Sequence, residues 1–257
     1  MCRDDTRQAC QREEQSIGRA GRGRYGDAMK MINLVKRPAD QRGQTELGWL
    51  HARHSFSFGE YYDPNHRGFR SLRVLNDDVV EPGQGFGTHP HRDAEIFTYV
   101  IEGALEHKDS MGNGRVIQAG DLQYMSAGSG VRHSEFNPSP DQRVHLLQIW
   151  ILPAQPGGAP RYAEAKLGHA AKPNALTPLF AGQHRADAEL YFGKLAGDQS
   201  VVLPVAVGRG VWIHTIAGVV AVADEVLHAA DGAAIEGVEQ LNIQARHDAE
   251  FLVFVLA

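Results

Sequence analysis

What most limits the fold of this chain is the length of its apolar runs. From Met31 onward they are strand-sized and separated by glycine, asparagine and proline: residues 95–101, 116–125, 144–152, 201–207, 211–222 and 251–256. β-Branched and aromatic residues fill them, as a half-buried pleated surface requires. Met111-Gly112-Asn113-Gly114-Arg115 is a turn signal between two such runs and predicts a hairpin. No segment sustains the 3.6-residue period of an amphipathic helix. Residues 162–167 are read as one helical turn or two. The expectation is an all-β protein.

The 257 residues leave room for one large or two modest domains, at about 150 residues each. Pro153-Ala154-Gln155-Pro156-Gly157-Gly158-Ala159-Pro160 breaks the strand pattern and reads as a linker between two β domains. A weak internal repeat supports the division. Ile101-Glu102-Gly103 followed by Ala119-Gly120-Asp121 is echoed by Ile216-Ala217-Gly218 followed by Ala230-Asp231-Gly232. Residues 1–28 have few apolar side chains and mix acids with bases, so they read as a flexible extension. They lack the apolar middle of a secretory signal, and their acids count against a transit peptide. The expected organisation is that tail, a first domain at 29–152, and a linker with a second domain at 153–257.

Charge and cysteine content narrow the chemistry. With 26 Lys plus Arg against 31 Asp plus Glu, the chain has a net charge of −5 and no clustered positive field for nucleic acid. No run approaches the ~18 apolar residues of a membrane span. The two cysteines, Cys2 and Cys10, exclude a disulfide framework and fit a reducing, cytoplasmic setting. Any metal site must therefore use histidines and carboxylates.

Such a site is offered by Thr88-His89-Pro90-His91 and, some forty residues later, by His133-Ser134-Glu135. Residues two apart on a strand share a face, so each pair can present both tips to one point. Pro90 cannot donate to a ladder and marks an edge or a bulge. Three imidazoles and one carboxylate suit iron, zinc, copper or nickel. Without thiolates, an ion with open positions is favoured over four-coordinate structural zinc. A histidine pair taken alone is commonly only a solvated strand face; two pairs framed by glycine carry more weight.

These segments resemble known motifs. The glycine-framed stretch from Gly83 to Gly103, with His89, His91 and Glu95, resembles the first cupin motif. Gly120-Asp121-Leu122-Gln123-Tyr124-Met125-Ser126-Ala127-Gly128, followed by His133 and Asn137, resembles the second. Phe86-Gly87-Thr88-His89-Pro90-His91, His54-Ser55-Phe56-Ser57-Phe58 and Tyr61-Tyr62-Asp63-Pro64 resemble the pirin family, nearest to its bacterial branch with quercetin 2,3-dioxygenase activity. So does the run from Met125 to Asn137, with Ser126 where cupins usually have proline. The likeness runs from about Met31 to the end.

The resemblance implies a bicupin, two antiparallel jelly-roll barrels in one chain. It implies metal ligands His89, His91, His133 and Glu135, with Glu95 in a supporting or structural place. The second barrel should lack a metal, since the repeat sets Pro204 and Ala206 opposite positions 89 and 91. His54, His107, His145, His214 and His228 are read as ordinary lone histidines.

The function so implied is oxidative ring opening of a flavonol such as quercetin by O2, with release of CO. One divalent ion is expected, iron(II) first and other divalent transition metals also fitting, with Glu135 as the catalytic base. The rival is a non-catalytic, iron-binding, redox-responsive interaction protein. Partners are then a small aromatic substrate and O2, with no nucleic acid or membrane, and the chain should be a monomer.

Overall fold

The longest apolar runs become strands buried on two faces. In the computed structural model, which describes residues 32–257, nearly every side chain of Glu95–Glu102, Val144–Ile151, Gly210–Ala217 and Ala249–Leu256 is buried. Successive side chains of a strand point to opposite faces, so such a strand must be covered on both. On Glu95–Glu102, Ile96 and Val100 enter two clusters inside the first half. Phe97 and Tyr99 enter another, shared with Phe192, Trp212, Leu252 and Phe254 of the second half. The tail expected at residues 1–28 lies outside the described residues.

Each half is a two-sheet jelly roll. Eight strands of the first half run from Leu72–Val80 to Val144–Ile151. The first, eighth, third and sixth lie side by side in the larger sheet, and the second, seventh, fourth and fifth form the smaller. The eight from Ala188–Leu195 to Ala249–Leu256 repeat that order. The larger sheets face each other across the shared aromatic and leucine cluster. The smaller sheet of the second half closes an aliphatic interior that includes Leu203, Val211, Ile213, Leu241 and Val253.

The halves exchange strands. Asn33–Arg37 pairs with Gly232–Glu236 at the edge of the second half's larger sheet. Reciprocally, Arg161–Lys166 pairs with Asp121–Ser126 at the edge of the first half's larger sheet. Both exchanges cross the boundary expected at residue 152. They also correct the reading of residues 162–167. Tyr162–Lys166 is strand, because Ala163 and Ala165 pack against the shared cluster, and the helix occupies only Leu167–Ala170.

Other local expectations hold. The hairpin joins Ala104–Asp109 to Gly114–Gln118, and Asp109 Oδ1 accepts the turn amides of Met111 and Asn113. The internal repeat is structural: Gly103 and Gly218 both turn at φ +76° after equivalent strands.

Candidate metal centre

The two histidine segments are hydrogen-bonded neighbours. Gly85–His91 is the edge strand of the smaller sheet and pairs antiparallel with Val131–Phe136, His133 opposite His89 and Val131 opposite His91. A register shift between His133 and Glu135 sets Glu135 opposite Phe86. Pro90 therefore sits on an edge, where its missing N–H costs nothing. The ring centroids of His89, His91 and His133 are 4.5–4.7 Å apart. Their ligand atoms lie within 4.8 Å of one another, and so do those of His107, His133 and Glu135. His133 belongs to both groups, and Glu135 lines the same cleft as His89 and His91, with His107 beside His133 and Glu135.

Hydrogen bonds fix which nitrogens are free. His89 Nδ1–H donates to the Gly87 carbonyl at 2.7 Å, leaving Nε2 a lone pair. His107 Nε2–H donates to Asp109 Oδ2 at 3.1 Å, so its Nδ1 accepts, from Gln123 Nε2 at 3.3 Å and from His133 Nδ1–H at 3.5 Å. His133 Nε2 faces His89 Nε2 at 3.0 Å, a separation that a shared proton or a bound cation bridges. The donor set fits a divalent metal on its own geometry.

The electrostatics agree. Burial, with the nearby His89, pulls His91 down to about 4. Burial and the surrounding imidazoles depress His133 further. Both rings are thus neutral near pH 7, the form that binds metal. Burial pushes Glu135 up to about 7, against the opposing hydrogen bonds from Thr98 and Gln148. A carboxyl poised there ionises readily once a cation arrives.

A polar belt supports the centre. His54, Asn76, Gln148, Thr98 and Gln123 are successive register partners across five adjacent strands. Thr98 Oγ1 donates to Gln148 Oε1 at 2.9 Å, and Gln148 Nε2 donates to Glu135 Oε2 at 2.8 Å. The equivalent cross-strand pair in the second half is Ile213 with Val253, which carries no ligand atom. Pro204 and Ala206 are exposed there; the strand's interior positions are Leu203 and Val205. Beside the imidazoles opens a small cleft with aromatic walls Phe58, Phe86 and Trp150.

Of the remaining residues, Glu95 is structural. It faces away from the centre and accepts from Tyr124 Oη, Ser126 Oγ at 2.7 Å and the Arg185 amide at 3.0 Å. His145 pairs with Asp77 at 2.6 Å, and His54 sits between Thr45 and Asn76. His214 is buried, and His228 lies exposed on its hairpin strand. His107 departs from its reading as an ordinary histidine. It is fully buried and orients His133. The signal was the cross-strand register of His107 with Glu135, which spacing along the chain does not carry.

Fold and centre together define a class: a bicupin with a histidine-rich centre in its first jelly roll. The Pirin family model matches residues 35–151, and that of the Quercetinase C-terminal cupin domain matches 183–256. The quercetin 2,3-dioxygenase of Escherichia coli K12 is 47% identical over 227 residues, covering 87% of this chain and 98% of that protein. The crystal structure of YhhW from Escherichia coli superposes with a TM-score of 0.83 at 45% identity, over 88% of this chain and 98% of that one. The same bacterial pirin in complex with nickel(II) gives a TM-score of 0.82 at 45% identity, over 88% and 99%. This chain belongs to the pirin family.

Proposed function

We propose that this protein is a metal-dependent dioxygenase that opens the heterocyclic ring of a flavonol such as quercetin with O2 and releases CO. His89, His91, His133 and Glu135 would hold one divalent ion, with iron(II) the expected metal. The observation that carries the reading is the convergence of the His89, His91 and His133 ligand atoms within 4.8 Å of one another, at an aromatic-walled cleft that Glu135 also lines. The nickel(II) complex of the related bacterial pirin and the quercetinase match of the second half support it.

When bound, such an ion supplies Lewis acidity toward a phenolic hydroxyl and one-electron chemistry toward oxygen. The chain's own groups do the rest. Phe58, Phe86 and Trp150 provide flat apolar walls for a planar ring system. Glu135 is the proposed catalytic base. Its carboxylate, held by Gln148 and Thr98, accepts the proton of the substrate hydroxyl.

The division of labour follows the halves. The first jelly roll, within 29–152, would carry the chemistry, and the second, within 153–257, would support it without a metal. The two larger sheets cover each other's apolar faces, which supports a monomer. Among the described residues, no helix is long and apolar enough to cross a membrane. We place the protein in the cytoplasm, where O2 and a small aromatic substrate are its partners and nucleic acid is not.

The test is direct. Protein loaded with iron(II) without oxygen, then given quercetin and O2, should consume both and release CO. The double variant His89→Ala with His91→Ala should lose metal while keeping its far-ultraviolet circular dichroism. Full metal occupancy with no loss of any flavonol would shift the assignment to a non-catalytic, redox-responsive binding protein.

A further inference from the structure

Asp78 carries a buried carboxyl oxygen with nothing bonded to it. It is 4% exposed, and its Oδ1 is buried with no hydrogen-bond partner among the described residues. Three polar residues of the same belt and cleft are held: Asn76 by His54, Glu135 by Gln148, Gln148 by Thr98; the charge of Arg42 acts on Asp78 without a hydrogen bond to it. Its strand, Leu72–Val80, sends Asn76, Asp78 and Val80 into the first jelly roll, and Asp78 lines the cleft beside His89, His91 and Glu135. Burial, reinforced by the charges of Asp77 and Glu135, pushes its pKa well above the carboxylate range.

A buried polar group without a partner is expensive, and native folds rarely keep one that serves no purpose. A carboxyl kept for structure would be bonded to protein. This one lines a cleft that also has Phe58, Phe86 and Trp150 in its walls, so a ligand entering the cleft can supply the partner. The chemistry of that partner is constrained. Whether ionised or neutral, a carboxyl accepts from a phenolic O–H.

We propose that Asp78 is a substrate-recognition residue: its carboxyl accepts a hydrogen bond from a second phenolic hydroxyl of the aromatic substrate, distinct from the hydroxyl that enters the metal centre. This rests on the flavonol reading and narrows it to polyhydroxylated members of the class. A substrate lacking that hydroxyl leaves the carboxyl buried and unpaired, and specificity follows from that penalty.

The test uses nickel(II)-loaded protein without oxygen, titrated by fluorescence quenching with quercetin and with 3-hydroxyflavone, which has only the metal-directed hydroxyl. Wild type should bind quercetin about tenfold more tightly. In Asp78→Leu and Asp78→Ala that ratio should fall to within about twofold of unity. Nickel stoichiometry should be unchanged, and the Leu variant should melt no lower than wild type without metal, because an unpartnered buried polar group has gone. Retention of the wild-type ratio by a folded variant, or loss of nickel from it, overturns the assignment. So does a wild type that binds both flavonols equally, and in that case the flavonol reading stands. A wild type that binds neither removes the flavonol reading and this inference with it.

Discussion

At the scale of single residues the centre is built from tautomers as much as from ligands. Asp109 fixes His107, whose ring packs on that of His133, and the Gly87 carbonyl fixes His89. Asp109→Asn should therefore leave the fold intact and weaken divalent-metal affinity about 10- to 100-fold, read by competition titration against a chelator. Glu135 gives a pH signature. Its pKa in the metal-free protein is raised to about 7 from 4.5, so its contribution to stability is full below the unfolded value and is lost as pH rises through 7. Metal-free wild type should accordingly lose up to roughly 3 kcal/mol relative to Glu135→Gln between acid and about pH 8. Bound metal should abolish that slope; denaturant melts at several pH values measure both. The gathering of His89, His91 and His133 was legible because the proposed ligands come in pairs spaced by two on one strand. His107, Thr98, Gln148 and Asp78 were not, because only register between strands far apart in the chain brings them to the centre.

At the scale of elements, the strands were legible wherever burial on both faces wrote a continuous apolar run, as in Glu95–Glu102 and Ala249–Leu256. Arg161–Lys166 was not. It is a short edge strand of mixed polarity whose small alanines point inward, a pattern that a helical turn matches equally well. The glycine turns test the repeat. A Cβ on Gly103 would lie 2.5 Å from the Arg143 carbonyl oxygen, and one on Gly218 would lie 1.9 Å from that of Asp248. Both residues also have φ +76°. Alanine at either position should cost on the order of 2–4 kcal/mol, seen as a lower denaturation midpoint. If Gly218→Ala melts like wild type, the two turns are not equivalent parts of a repeated unit.

At the scale of the whole molecule, the Pro/Gly linker announced two β units, and nothing in the sequence announced that they trade strands. The partners of Asn33–Arg37 and Arg161–Lys166 lie in the opposite half, and their pairing depends on register rather than composition. Neither half is then a unit that can be cut free. Fragments 32–157 and 158–257, prepared separately, should each lack the near-ultraviolet circular dichroism of packed aromatics such as Phe97, Tyr99 and Trp212. Mixed, they should recover it. The intact chain should unfold in one transition rather than two, since the shared cluster is lost with either half.

The exchanged strands also set an order on folding. Pairing of Asn33–Arg37 with Gly232–Glu236 closes a loop that encloses the whole first jelly roll and most of the second, a topology that slows folding. Until that clasp shuts, each unpaired strand presents a free backbone edge to any neighbour able to pair with it, which makes the interval before closure the moment of greatest exposure to misassembly.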